Sequence, residues 1–385
     1  RQVLLFTYDT PDGPAVTVDE MREDPATGVF SATRSGDLTG KSYRFAVDVF
    51  VRGTGVVRNL VTDPYSVTLT ANSQRSVVAD LASPALKPPG WESSPVPARV
   101  ASTVDMVVYE LHVRDFSAHD STVSPAHRGK YLAFTEPQSA GMKHLAALSQ
   151  AGVTDVHLLP VFDLASVPEV GCTTPAPAGP PDGEAQQAAV AATAGRDCFN
   201  WGYDPWHFNA PEGSYATDAN DGLRRIVEFR RMVMGLHAAG LRVGMDVVYN
   251  HTTASGQNAT SVLDRIVPGY YHRLNADGTV AHSTCCDNTA TEHAMMARLM
   301  IDSAVLWARE YRIASFRFDL MGHQPRAAME RLKTAVREAT GRDVQLFGEG
   351  WNFGEVANGA RFRQAAQGQL DGTGIGAFGD KMRDA

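Results

Sequence analysis

From about residue 104 onward, short apolar runs alternate with longer amphipathic segments, and this alternation most constrains the fold. The apolar runs are continuous, which is typical of parallel strands that are buried on both faces. Five or six strand–helix units with polar residues at the strand carboxyl ends predict a (β/α)8 barrel of the TIM type. The predicted strands are Met106–Val113, Val156–Phe162, Leu241–Tyr249, Ala314–Leu320 and Val344–Phe347. The predicted helices are Ser139–Ala151, Leu223–Ala239, Glu292–Tyr311 and Pro325–Ala339.

Residues 1–86 show a different pattern, which predicts an all-β module in front of the barrel. Tyr43–Val51 is rich in β-branched and aromatic residues, and the turn dipeptides Asp12-Gly13 and Asp63-Pro64 separate the strand-like runs. We interpret this module as a small β-sandwich, either complete or lacking its first strand or two. The proline-rich residues 87–103 are the predicted linker, and residues 104–385 form the predicted barrel portion.

Composition excludes several classes of partner. The 385 residues suffice for two or three domains, and the apolar fraction of 43% allows a sizeable core. A formal net charge of −8 gives no electrostatic footprint for nucleic acid or an anionic membrane. No apolar stretch reaches the ~18 residues of a membrane span. We interpret Arg1, which has no leader, as an internal start, so a secreted, plastid or cytoplasmic site stays open, as does the oligomeric state.

The four cysteines show no paired metal-ligand spacing and do not decide the redox compartment. Cys172 and Cys198 bracket an insertion rich in Ala, Pro and Gly, and a disulfide between them could join its two ends. We favour the alternative prediction, that both cysteines are free thiols. The neighbours Cys285 and Cys286 allow redox sensing or metal binding. Here too we favour the alternative, two thiols in a polar loop.

Two carboxylates follow consecutive predicted strands, in Phe316-Arg317-Phe318-Asp319 and Phe347-Gly348-Glu349-Gly350-Trp351. Residues two apart on a strand share a face, so Arg317 lies beside Asp319 and favours its ionised form. Trp351 could stack on a sugar ring or keep Glu349 protonated by desolvation. Taken alone, the Arg317–Asp319 pair is more often a structural ion pair at a strand end, and Gly348-Glu349-Gly350 is more often an ordinary turn. Together they suit a retaining glycosidase, in which two such carboxylates lie about 5–5.5 Å apart.

The preceding strand ends in Asp246-Val247-Val248-Tyr249-Asn250-His251. Asp246 and Asn250 share one face of this strand, and His251 begins the following loop. Asp246 could hold Arg317, and His251 could donate to a sugar hydroxyl. Strand capping and a satisfied histidine are the alternatives for these residues taken singly.

In order and spacing, these three motifs resemble three sequence regions of the α-amylase superfamily of glycoside hydrolases. Asn200-Trp201-Gly202-Tyr203-Asp204-Pro205 resembles the signature of type I pullulanases and limit dextrinases, whose leading Tyr is Phe199 here. The resemblance covers about residues 104–385, and the β-rich front is similar to the carbohydrate-binding-like module that precedes this barrel. It implies starch debranching, the hydrolysis of α-1,6 linkages in an α-glucan such as pullulan, limit dextrin, starch or glycogen.

The resemblance also implies roles for individual residues. Asp319 would be the nucleophile and Glu349 the general acid/base, while Arg317 would orient and ionise the nucleophile. His251 and Tyr203 would line the subsite of the departing glycosyl unit, Tyr203 by stacking. The full set of candidate substrate-binding residues is Arg317, His251, Tyr203, Asp204, Asp246, Trp351 and His323.

One departure from the family pattern concerns its third carboxylate, which belongs to a His-Asp pair on a later strand. No histidine follows His323, so we expect a truncated barrel that is inactive alone. No cofactor is required, and calcium is an expectation from related barrels without assigned residues. Two alternatives stay open: another superfamily enzyme (an isoamylase, an amylase or a branching enzyme), or a catalytically incomplete glucan-binding fragment.

Overall fold

The computed structural model describes residues 2–180 and 182–385, and its N-terminal part is built on one antiparallel sheet. The strands of this part are β1 (Val3–Tyr8), β2 (Ala15–Glu20), β3 (Arg22–Glu23), β4 (Phe30–Ser31), β5 (Ser42–Val51), β6 (Gly55–Val61) and β7 (Ser76–Val77). The sheet has the order β2-β1-β5-β6, with β7 paired to β5, and β3 and β4 form a separate hairpin.

The N-terminal sheet buries one face against the rest of the chain. Val47, Val49 and Val61 are buried in a small core against which Ile266 packs. The side-chain amide of Asn59 also donates to the backbone oxygen of Arg265 at 2.9 Å. Met21 and Phe30, from around the β3–β4 hairpin, pack against the same core. The described residues contain no second large sheet in this part, so the predicted two-layer sandwich is not confirmed.

The larger part of the chain contains a six-stranded sheet in which every pairing is parallel. Its strands are β8 (Val108–Leu111), β9 (Asp155–Leu158), β12 (Arg242–Val247), β15 (Ser315–Phe318), β16 (Gln345–Gly348) and β17 (Gly376–Ala377). Outside this sheet, β10 (Phe162–Leu164) pairs with β11 (Pro205–Pro211), and β13 (His251–Thr252) pairs with β14 (Asp287–Asn288). The helices are α1 (Ala140–Gln150), α2 (Glu184–Thr193), α3 (Gly222–Ala238), α4 (Leu263–Ile266), α5 (Ala294–Glu310), α6 (Arg326–Thr340) and α7 (Asp380–Asp384).

The order of the parallel sheet is β17-β16-β15-β12-β9-β8, so each strand pairs with the next large-sheet strand along the chain. Successive right-handed crossovers in one direction place the connecting helices on one side of a sheet. The opposite face is then free to line the inside of a curved wall, as in a barrel. The prediction that β12, β15 and β16 are parallel neighbours is confirmed. None of the described helices is both long and apolar enough to cross a membrane.

Polar side chains meet across one face of this sheet. His157 Nε2 is hydrogen-bonded to Ser315 Oγ at 2.7 Å although β12 lies between their strands. The intervening residue is Gly244, where an added Cβ would lie 2.2 Å from that His157 nitrogen. Burial lowers the pKa of His157 to about 3, so the ring is neutral. Glycine at residue 244 therefore makes the cross-sheet hydrogen bond possible.

Both cysteine pairs form disulfides, which corrects the free thiols favoured from sequence. Cys172 and Cys198 are joined with a Cα–Cα distance of 5.0 Å. The physical reason is local pairing, since the amide of Thr173 donates to the backbone oxygen of Arg196 at 2.8 Å and brings the ends of the insertion together. Cys285 and Cys286 are also joined to each other.

Replacing Gly244 by Ala tests whether this close approach stabilises the sheet. The added methyl would displace His157 from Ser315. Overpacking of this kind typically costs about 1–3 kcal/mol, so we expect the free energy of unfolding in urea to fall by that amount.

Gly195→Ala is the matched control, because nothing lies within 4 Å of its added Cβ. A surface change of this kind usually stays within about 0.5 kcal/mol. Equal effects of the two substitutions in the full-length protein would show that the close approach at Gly244 is unimportant.

Candidate active site

The carboxyl ends of β12, β15 and β16 carry the candidate active-site side chains. Asp246 and Arg317 are direct partners in the β12–β15 register, and Phe318 pairs with Gly348 between β15 and β16. Asp319 and Glu349 are the residues that follow this second pair. Because parallel strands end at the same edge of a sheet, the register brings these acidic side chains to one place.

The guanidinium of Arg317 contacts three carboxylates. Its Nη1 donates to Asp246 Oδ1 and Oδ2 at 2.8 and 3.0 Å, and to Asp319 Oδ1 at 3.1 Å. Its Nη2 pairs with Glu349 Oε1 at 2.8 Å. These four side chains are only 2–21% exposed, and charges interact more strongly where water is partly excluded. Arg317 therefore lies beside both candidate catalytic acids.

Asp319 is held through its second carboxylate oxygen as well. The side-chain amide of Asn250 donates to Asp319 Oδ2 at 2.8 Å and to the Asp319 backbone oxygen at 3.0 Å. The two carboxylate oxygens thus have separate donors, Arg317 and Asn250, which fix the plane of the group. Asn250 shares the strand face of Asp246, and this even spacing along the strand is the sequence signal for a role that was not predicted.

Glu349 is positioned by the backbone that follows Asp319. The amide of Leu320 donates to Glu349 Oε2 at 3.0 Å, and the amide of Gly322 donates to the Glu349 backbone oxygen at 2.9 Å. Leu320 has a φ of +40°, a left-handed conformation that is costly for a residue with a branched side chain. Strained backbone of this kind is typical of functional sites, and no sequence pattern pointed to it.

Tyr203 and His251 join this cluster through Asp246. The hydroxyl of Tyr203 donates to Asp246 Oδ2 at 2.6 Å, and His251 Nε2 donates to the Tyr203 backbone oxygen at 2.8 Å. Burial raises the pKa of Asp246 to about 7, although Arg317 and the Tyr203 hydroxyl both favour its ionised form. Burial also lowers the pKa of His251.

Three other candidate residues, Trp351, Asp204 and His323, form no hydrogen bond or ion pair with Arg317 in the described part of the chain. The ring of Trp351 is covered by the guanidinium of Arg383, whose carbon is 5.4 Å from the ring centre. Burial raises the pKa of Asp204, whose backbone oxygen accepts from the amide of Ala165 at 3.1 Å. His323 is hydrogen-bonded to Ser283 Oγ at 3.0 Å, and burial lowers its pKa to about 4.

A second network adjoins His323 and is centred on Glu355. Arg273 and Asn288 donate to Glu355 Oε1 at 2.8 and 2.9 Å, and Ser283 donates to Oε2. Burial opposes ionisation, but these hydrogen bonds lower the pKa of Glu355 to about 2. Glu355 was not predicted to have a role, because its partners come from distant parts of the chain.

Asp163, Glu169 and Glu212 form a buried group whose carboxylate oxygens lie within 4.8 Å of one another. Oxygen ligands suit calcium, but this group already has other partners. Arg225 pairs with Glu169 at 3.1 Å, and His207 pairs with Asp163 at 2.6 Å. The guanidinium of Arg225 supplies the positive charge that a cation would bring, so these residues do not fit a calcium ion.

The chain is similar in sequence to known pullulanases. No protein-family model matches it. Pullulanase 1, chloroplastic, of Arabidopsis thaliana is 44% identical in an alignment 402 positions long, which covers 100% of this chain and 41% of that protein. The pullulanase of Klebsiella aerogenes is 41% identical in an alignment 434 positions long, which covers 100% of this chain and 39% of that protein.

A solved structure agrees with these sequence relatives. The maltotriose complex of PulA from Klebsiella pneumoniae superposes with a TM-score of 0.92 at 40% sequence identity, covering 100% of this chain and 46% of that one. The chain thus spans about two fifths of the length of the curated relatives, 41% and 39% of the two above. The resemblance to type I pullulanases of the α-amylase superfamily is confirmed over the full length of this chain.

Proposed function

We propose that the full-length protein is a retaining glycoside hydrolase that cleaves α-1,6-glucosidic linkages in branched α-glucans. The observation that carries this proposal is the contact of one guanidinium, Arg317, with both Asp319 and Glu349 at the edge of the parallel sheet. Retaining glycosidases require two carboxyl groups close together, one as nucleophile and one as acid/base. The names of the pullulanase relatives and the maltotriose bound to one of them support an α-glucan as the substrate.

We further propose that the six-stranded sheet is part of a (β/α)8 barrel, preceded by a carbohydrate-binding-like module in residues 1–86 and a linker in residues 87–103. The sequential strand order supports the barrel, because a doubly wound sheet reverses its order at a switch point. This chain spans less than half of its pullulanase relatives, so we expect activity from the full-length protein and not from this chain alone.

In the proposed reaction, a carboxylate oxygen of Asp319 attacks the anomeric carbon while Glu349 donates its proton to the departing glycosidic oxygen. The anomeric carbon–oxygen bond breaks, and a covalent glycosyl ester forms on Asp319. Glu349 then removes a proton from water, whose oxygen attacks the same carbon and releases Asp319. Arg317 and Asn250 keep the attacking oxygens in place.

The remaining residues would bind the sugar at the cleavage site. The Tyr203 ring is fixed by its hydroxyl on Asp246 and would stack on the glucosyl ring. His251, held on the backbone of Tyr203, would bind a hydroxyl of the same sugar. We propose that catalysis needs no cofactor, since two carboxylates and water suffice. A bound calcium ion would have a structural role.

Substrate choice tests this proposal against the other superfamily activities. We expect the full-length protein to hydrolyse pullulan and to leave the α-1,4 links of amylose intact. Reducing-end release from the two polymers at equal mass concentration measures this difference. Rapid shortening of amylose would favour an amylase, and glucan binding without hydrolysis would favour a binding protein.

Two substitutions serve as controls for the chemistry. Glu349→Gln should remove acid assistance, so its activity should recover most on glucosyl fluorides, whose leaving group needs little protonation. Asp319→Asn should lose turnover for every leaving group, because it removes the nucleophile. Equal recovery of both variants on fluorides would contradict the assigned roles.

A pH profile tests the link between Tyr203 and Asp246. The pKa of Asp246 is raised, so the folded state holds this proton more tightly than the unfolded state, and the associated stability is lost as pH rises from about 4 to about 7. Tyr203→Phe keeps the ring but removes a hydrogen bond that lowers this pKa. We therefore expect the acidic limb of kcat/KM to move to higher pH, by up to about one unit.

Tyr270→Phe is a matched control, since the hydroxyl of Tyr270 bonds the amide of Met295, away from Asp246. Its acidic limb should coincide with that of the unmodified protein. An unchanged limb in Tyr203→Phe would mean that ionisation of Asp246 does not govern activity.

A further inference from the structure

The disulfide between the adjacent residues Cys285 and Cys286 lies at the border of the candidate active site. Cys285 is exposed, and its Sγ is 3.7 Å from His251 Nε2. The loop that carries both cysteines ends in β14, which pairs with β13 through His251 and Asn288. Solvent access on one side and a site histidine on the other distinguish this pair from a purely structural disulfide.

The ligand atoms of His251, Cys285 and Cys286 all lie within 4.8 Å of one another. We propose that reduction of this disulfide creates a binding site for a thiophilic divalent cation such as Zn²⁺ or Cd²⁺. A dithiol supplies two electrons and two protons, the Cys285–Cys286 bond breaks, and the dithiol becomes its own disulfide. The cation then displaces the two thiol protons and binds both thiolates.

The three ligands suit the chemistry of zinc. Zinc takes thiolate sulfur at about 2.3 Å and imidazole nitrogen at about 2.0–2.1 Å, usually with four ligands, so water would fill the fourth position. Reduction opens the ring that the disulfide closes, which frees the two cysteine side chains to rotate toward a shared ion.

The cation would compete with a contact of the candidate active site. His251 Nε2, the nitrogen nearest Cys285, donates its proton to the backbone oxygen of Tyr203. A metal on this nitrogen requires the neutral tautomer that is protonated at Nδ1, so Nε2 releases its proton to water, Nδ1 takes one up, and the hydrogen bond that ties His251 to Tyr203 is lost. We therefore expect metal binding by the reduced protein to inhibit glucan turnover, a consequence that rests on the proposed function.

The other disulfide provides a control of equal thiol count. Reduction of Cys172–Cys198 also yields two thiols, but within the described ranges this pair is not part of any three-ligand group. Of the four cysteines in this sequence, the variant Cys172→Ser/Cys198→Ser keeps the pair near His251. The variant Cys285→Ser/Cys286→Ser keeps the distant pair.

The experiment adds Cd²⁺ to full-length protein that has been reduced with a dithiol and freed of it under anaerobic conditions. After reduction, we expect the unmodified protein and Cys172→Ser/Cys198→Ser each to bind one more Cd²⁺ per chain than Cys285→Ser/Cys286→Ser, with a correspondingly stronger sulfur-to-cadmium charge-transfer absorption. The oxidised proteins should not show this difference. Equal cadmium binding by the reduced unmodified protein and reduced Cys285→Ser/Cys286→Ser would overturn the proposal.

Circular dichroism before and after reduction shows whether each form is folded. If Cys172→Ser/Cys198→Ser does not fold, the comparison of the unmodified protein with Cys285→Ser/Cys286→Ser still decides the test. In the activity arm, Zn²⁺ should inhibit pullulan hydrolysis only after reduction, and a chelator should restore it. Metal binding without inhibition would overturn the link to His251. Absent hydrolysis in metal-free protein would count against the proposed function and leave the metal site standing.

Discussion

The contact of one guanidinium with three carboxylates is the interaction on which the rest of the site depends. Asp246, Asp319 and Glu349 converge where water is partly excluded, and without Arg317 their mutual repulsion would be uncompensated. Removing one partner of a buried ion pair typically costs about 3–5 kcal/mol. The strand register, which places Asp246 opposite Arg317, is therefore both a structural and a chemical requirement.

This cluster links distant parts of the chain to one edge of the sheet. Tyr203 follows the long insertion, whose ends are joined by the Cys172–Cys198 disulfide, and it reaches the cluster through Asp246. Below the cluster, the small residue Gly244 lets His157 reach Ser315 across the same face of the sheet. At the amino end of β12 that face carries a further buried ion pair, between Arg242 and Asp155 at 2.6 Å.

Sequence reasoning succeeded where a local pattern carries the information. Apolar runs predicted the parallel strands, and the two-residue spacing of Arg317 and Asp319 predicted their contact, which the structure contains. Features that depend on tertiary structure could not be predicted in this way. Spacing alone does not show that Cys172 meets Cys198, nor that a short helix covers the N-terminal sheet.

The site also contains contacts that no sequence motif predicts. Leu320 acts through its backbone amide in a left-handed conformation, which its residue type does not predict. Glu355 finds its partners about 70 to 80 residues earlier in the chain, beyond any local window. By contrast, Asn250 shares a strand face with Asp246, so its contact with Asp319 could have been predicted from the same period-two rule.

The configuration of the first product tests most directly whether Asp319 and Glu349 act as a retaining pair on either side of Arg317. NMR during hydrolysis of an α-1,6-linked glucan by the full-length protein identifies the anomer that is released before mutarotation. A covalent intermediate on Asp319 requires two inversions at the anomeric carbon, so the account predicts the α-anomer. Release of the β-anomer would mean a single displacement by water and would contradict Asp319 as the nucleophile.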